Sequence, residues 1–251
     1  MSCAWKYQDC KIGVIIGTGS NSCYIEKVRH AEWFDKPGQT DDEGVIINTE
    51  FGAFGDRGSL EEIRTSFDRE VDKNSINPNN QLFEKMISGM YVGELTRLVI
   101  VELVSKGLLF GGKMSDKFMQ RDKFFTKYLS EIEHEDEKFH VVKGILSEMD
   151  VVNPSEEDCR IVRYCCEIVS KRAAQLVSSA LAVLILRIGD PHISIGVDGS
   201  VYRFHPRFQN HMTETIRQQI PENYTFQLVL SEDGSGRGAA LVAAVASRDL
   251  Q

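Results

Sequence analysis

Five consecutive residues, Gly17-Thr18-Gly19-Ser20-Asn21, set two positions without side chains among two hydroxyls and an amide, directly after the apolar run Ile12, Val14, Ile15, Ile16. With no Cβ at Gly17 or Gly19, successive backbone N–H groups can converge on an anion, Thr18 and Ser20 add hydroxyl donors, and Asn21 offers both a donor and an acceptor. Phosphate is the guest that suits such a turn, and an ordinary hairpin turn is the alternative that the local chemistry leaves open. The spacing Gly-x-Gly-x-x-Ser lacks the third glycine of the dinucleotide fingerprint. Residues 24–28 also read as a returning strand rather than a helix, so a Rossmann context is missing. No Gly-x4-Gly-Lys-Ser/Thr loop occurs.

The same make-up returns twice. An apolar strand predicted over 193–198 ends in Asp198-Gly199-Ser200, read as a turn over 199–202, and another over 226–230 ends in Ser231-Glu232-Asp233-Gly234-Ser235-Gly236. Three glycine-plus-hydroxyl turns, each closing an apolar strand, point to one nucleotide or phosphate site gathered at a sheet edge. Two of them lead into predicted helices, 206–219 and 237–248, whose N-termini favour anions. A carboxylate, Glu50, follows the predicted strand 45–49 among small residues; it is placed either to meet a ligand or to sit in a solvated loop.

These residues need elements to hold them. Residues 11–16 and 24–28 read as an antiparallel pair. From Leu82 to Leu103 apolar positions recur at helical spacing within 79–106, with Gly107 as the stop and Glu84 off the apolar stripe. Gly89 and Gly93 inside that pattern each cost about 1 kcal/mol relative to alanine, so they mark a break or a close approach of backbone. The acidic run 131–137 reads as a water-facing segment. Ser155 to Asp158 form a capping-box start for a helix reaching about 188, and the cysteines it carries (Cys159, Cys165, Cys166) read as small core residues. None of the six histidines is assigned chemistry.

The chain has 251 residues, 42% hydrophobic and 26% charged, the balance of a globular domain with a sizeable core. A net charge of −8 argues against a nucleic-acid backbone as partner. Six cysteines without Cys-x-x-Cys spacing, and no leader segment, give the expectation of reduced thiols in the cytoplasm, and the longest apolar run, 180–186, is too short to span a membrane.

The stretches IGVIIGTGSN, INTEFGAFGD, QLFEKMISGMYVGELTRL, LLFGGK, IGVDGSVYRFHP and SEDGSGRGAALVAAVA stand together in an order that closely resembles the large lobe of eukaryotic hexokinases, members of the actin-like sugar kinase and ATPase superfamily. The resemblance implies an α/β fold, a mixed sheet with flanking helices of the ribonuclease H-like kind, with 1–251 as one domain. It implies phosphorylation of glucose and related hexoses at the 6-hydroxyl by ATP, with Mg²⁺ carried on the nucleotide. Asn21, Glu50 and Glu84 would then bind the sugar. Thr18, Gly19, Gly89, Thr126, Ser130, Ser200 and Phe204 would bind the nucleotide, with Gly234 and Gly236 letting backbone pass close to adenosine. Phe51 stands where many relatives have tryptophan, a change that keeps an aromatic wall. The resemblance begins after the family's Asn-Asp-Thr-Val-Gly-Thr segment, whose aspartate is the general base. The expectation is therefore a part of a longer protein, without its small lobe and inactive alone. The whole protein would be cytoplasmic or attached to the mitochondrial surface. Two other readings stay open: a hexokinase-like sugar sensor that binds without turnover, and a dinucleotide-dependent oxidoreductase.

Overall fold

The computed structural model describes residues 7–31, 43–134, 138–231 and 234–248. Five strands form one sheet: β1 (Cys10–Ile16), β2 (Ser20–Lys27), β3 (Gly44–Asn48), β4 (His192–Asp198) and β5 (Thr225–Leu230), in the order β3-β2-β1-β4-β5. The first three are antiparallel neighbours, while β4 runs parallel to both β1 and β5. β4 is buried from Ile193 to Val197, as expected of a central strand covered on both faces.

The helices are α1 (Ser66–Lys73), α2 (Leu82–Ile87), α3 (Val92–Ser105), α4 (Asp116–Met119), α5 (Thr126–His134), α6 (His140–Glu148), α7 (Glu156–Ile188), α8 (Ser200–Phe204), α9 (Phe208–Gln219) and α10 (Gly234–Arg248), of which α2, α7 and α8 pack on the sheet. α7 is the spine. It starts at the expected capping box, Ser155 with Asp158, and stops at Gly189, whose φ of 71° a glycine adopts without strain. α7 is long and apolar enough to cross a bilayer, yet it packs against α9, α3 and α5 and buries Val162, Ala173, Val177 and Leu181 in the core, which makes it the central helix of the domain. Burial pushes the Cys165 thiol up to about 11 and that of Cys166 well above its usual value, so these cysteines are unreactive core residues.

Several boundaries differ from the sequence reading. The pattern over 79–106 does divide as its glycines led one to expect, into α2 and α3 with Gly89 in the break and Gly93 inside α3, and the backbone at both meets other backbone. A Cβ at Gly89 would lie 2.9 Å from the Gly17 carbonyl oxygen, and one at Gly93 would lie 2.3 Å from that of Phe124. Residues 199–202 are not a free turn: Gly199 makes the reversal alone at a φ of 108°, and α8 begins at Ser200. The segment 131–137 is not wholly water-facing. Ile132 and Glu133 are buried on α5, because they are on its inner side, and 135–137 lie outside the described residues. The last helix starts at Gly234 rather than 237, and its Leu241, Val242 and Val245 are exposed. Glu232 and Asp233 of the third turn lie outside the described residues.

One ion pair fastens the sheet to the spine. Arg187 of α7 donates from Nε to Glu26 Oε2 at 2.8 Å. Burial alone would raise the Glu26 pKa, but hydrogen bonds from Arg187, the Lys27 N–H, Tyr24 and His30 outweigh it and hold the carboxyl at about 2. A depressed folded-state pKa stabilises above the ordinary value of 4.5, and that stabilisation disappears as pH falls towards about 2. The melting temperature should therefore drop across that window, and Glu26→Gln should flatten this part of the drop. Melting curves of both proteins between those pH values check it.

Candidate functional site

The glycine turns meet at the carboxyl ends of the parallel strands, where open α/β sheets bind ligands. At the end of β1, the Gly17 N–H donates to the Gly19 carbonyl at 2.9 Å, closing the 17–21 turn. The Gly89 N–H donates to the Gly17 carbonyl at 2.7 Å and the Met90 N–H to that of Thr18 at 3.2 Å, so the α2–α3 break docks on this turn through backbone alone. Gly199 lies against the same turn; a Cβ there would sit 2.3 Å from the Ile16 carbonyl oxygen. The third turn joins through Asp198, whose Oδ1 accepts from the Gly199 N–H at 2.7 Å and whose Oδ2 accepts from the Gly234 N–H at 2.9 Å. The dinucleotide reading fails here, because the 17–21 turn leads directly into the antiparallel strand β2.

On one side of the turn the three proposed sugar ligands come together. The Asn21 amide donates to Asn48 Oδ1 at 2.7 Å, and the Asn48 amide donates to Glu50 Oε1 at 2.6 Å. Glu84 Oε2 accepts from the Ser20 N–H at 2.7 Å, one residue from Asn21. Glu50 holds a left-handed backbone, φ 49°, which is costly for a residue with a side chain and recurs where surroundings enforce a functional geometry. The loop after Glu50 is tied to α2 by Asp56, which accepts the Gln81 and Leu82 N–H groups at 3.0 and 2.9 Å. Gly52 allows close contact there, since a Cβ would meet Gln81 Oε1 at 2.4 Å. Phe51 packs edge-on to Phe83 at 5.3 Å between ring centroids, each ring next in sequence to one of the carboxylates.

On the other side opens a cavity of about 780 Å³, within the size range of small-molecule sites. Thr18, Gly89, Thr126, Ser130, Ser200 and Phe204, all named from the sequence, line it. Thr126 also fixes the floor: its Oγ1 donates to the Gly89 carbonyl at 2.6 Å and accepts the Gly93 N–H at 2.9 Å. Gly19 faces Glu84 instead, and Gly234 and Gly236 form the start of α10. Sequence reasoning missed Met90, Phe125, Lys127 and His134 in the lining, and missed Asn48 as the bridge between Asn21 and Glu50. Lys127 was open to discovery as the cation beside Thr126; Asn48 and Met90 carry no signal beyond adjacency to named residues.

Among the described residues no group of three His, Cys, Asp or Glu side chains converges as a metal site. Asp9 is engaged at the far end of β1, where its Oδ2 accepts from Ser194 Oγ at 2.6 Å.

The family model for hexokinase matches residues 11–245. Hexokinase-1 of Homo sapiens is 47% identical over 255 aligned positions, covering 99% of this chain and 27% of that protein. Hexokinase-2 of Homo sapiens is 46% identical with the same coverage. The solved hexokinase from Schistosoma mansoni, complexed with glucose, superposes with a TM-score of 0.89 at 43% identity, over 97% of this chain and 55% of that one. The chain thus spans about a quarter of these full-length relatives and about half of the solved one. Its mixed sheet with flanking helices is the actin-like ATPase fold of hexokinase. With the family model, sequence identity and fold all matching along nearly its whole length, the chain belongs to the hexokinase family.

Proposed function

We propose that these 251 residues form the large lobe of a hexokinase, a single domain that holds a hexose and ATP side by side for transfer of the γ-phosphoryl group to the sugar 6-hydroxyl. The observation that carries this reading is the joint position of Asn21, Glu50 and Glu84 beside a turn whose other flank, at Thr18, opens into the cavity. A hexose presents a ring of hydroxyl donors, and two carboxylates with an amide match them, the carboxylates through charge-assisted bonds worth about 1.5–3 kcal/mol each. The relative solved with glucose supports a hexose as substrate.

ATP, with Mg²⁺ on its phosphates, supplies the phosphoryl group and its charge neutralisation. The residues of this chain bind and orient it. Thr18, Ser130 and Ser200 offer hydroxyl donors to phosphate oxygens, Thr126 shapes the floor by donating to the Gly89 carbonyl, and Phe204 gives an apolar flank at the rim. Among the described residues, two acids near the ends of the parallel strands are already engaged. Asp9 serves Ser194, and the two oxygens of Asp198 serve backbone N–H groups. The family resemblance places the general base in a segment outside the stretch matched here, and a positioned base is worth about 10²- to 10⁴-fold in rate.

Calorimetric titration should give one site for glucose and one for ADP on residues 1–251, with little hexose-dependent ADP release. Failure to bind either ligand would overturn the binding assignment. Release at a rate typical of kinases would overturn the placing of the base elsewhere.

A further inference from the structure

Behind the cavity lies a buried polar cluster that touches no proposed ligand position. Glu133 on α5 and His205, directly after α8, are 3% and 6% exposed, and His205 Nε2 lies 3.0 Å from Glu133 Oε1. His205 Nδ1 accepts the Arg207 N–H at 3.3 Å, so Nε2 carries the proton and donates it to Glu133. The same Glu133 oxygen accepts from Ser170 Oγ of α7. Burying such a cluster is costly unless its geometry is well kept, and a hydrophobic substitute of equal volume is often as stable, so the pair calls for a role beyond stability.

Its position suggests that role. Glu133 follows Ser130 by one helical turn on α5, and His205 follows Phe204, so the pair joins the two helices that carry Thr126 and Ser130 on one wall and Ser200 and Phe204 on the other. We infer that Glu133 and His205 are positioning residues which set the separation of α5 and α8 and thereby the nucleotide affinity of the cavity. This inference rests on the reading of that cavity as the nucleotide site. The sugar ligands stand on β2, on the loop after β3 and on α2, outside the span of this strut, so hexose affinity is independent of it.

The test uses His205→Asn, which keeps a side-chain acceptor for the Arg207 N–H but is too short to reach Glu133, and His205→Gln, which restores the reach. ADP and glucose affinities are measured by calorimetry alongside the melting temperature. The expected result is a loss of about 2- to 30-fold in ADP affinity for His205→Asn, the scale of couplings carried by packed side chains. Glucose affinity should be unchanged and ADP affinity should recover in His205→Gln. Should His205→Asn not fold, the double variant Glu133→Gln/His205→Asn, which leaves no buried charge unpaired, takes its place under the same criteria. Unchanged ADP affinity in a folded variant overturns the inference, as does a parallel loss of both ligands in step with stability, which would make the role merely structural. If the unaltered chain binds glucose but not ADP, the nucleotide reading of the cavity falls and the inference falls with it.

Discussion

Arg97→Ala is expected to lower the free energy of unfolding by about 3–5 kcal/mol, the usual cost of removing one partner from a buried ion pair. Arg97 and Glu94 are each 5% exposed on α3 and form a two-pronged pair, Nε to Oε2 at 2.7 Å and Nη2 to Oε1 at 2.6 Å. Arg97 Nη1 also donates to the Phe118 carbonyl, and Glu94 Oε2 accepts the Asp122 N–H. The pair thus anchors the segment that leads into α5 and its Thr126. Alanine would strip Glu94 of its cation and leave a carboxylate in the core with one N–H donor, besides removing a packed aliphatic stem. The double change Glu94→Leu/Arg97→Met should recover much of the loss, because it removes both desolvated charges together. Urea unfolding of the three proteins checks this. A single variant within about 1 kcal/mol of the parent would mean that water reaches the pair.

Glu84→Ala should weaken glucose binding by about 1.5–3 kcal/mol, roughly 10- to 150-fold in the dissociation constant. The carboxylate has two duties that alanine cannot meet. One oxygen holds the Ser20 N–H beside Asn21, and the side chain would accept from a sugar hydroxyl. Loss of the first loosens the 17–21 turn, which also forms the cavity edge at Thr18, so ADP affinity should fall too, by less. Glu84→Gln, which keeps an acceptor for Ser20 but not the charge, should fall between. Equal glucose affinity in all three proteins would remove Glu84 from the sugar site.

How far the molecule could be read in advance depended on the range over which its causes act. Strands β1 and β4 were legible because apolar runs ending in glycine have few other uses. The α2–α3 break was legible in Gly89, while Gly93 lies inside α3 and marks a close approach instead; both glycines crowd against neighbouring backbone. The start of α7 was legible because a capping box is a local device. What escaped was long-range. Glu133 sits in the polar string EIEHEDE, and only its meeting with His205, 72 residues on, explains why it is buried. Residues 199–202 looked like a turn because the crowding of Gly199 against Ile16 joins strands nearly two hundred residues apart. The proposed sugar ligands Asn21, Glu50 and Glu84 were named through family resemblance; the link between the first two, Asn48, was not.

The most direct test is a crystal structure of the chain grown with glucose and ADP. The account predicts one hexose ring within hydrogen-bond distance of the Asn21 amide and of both the Glu50 and Glu84 carboxylates, with the diphosphate beside Thr18, Gly89 and Ser200. A sugar bound elsewhere, or three side chains that share no ring, would contradict it.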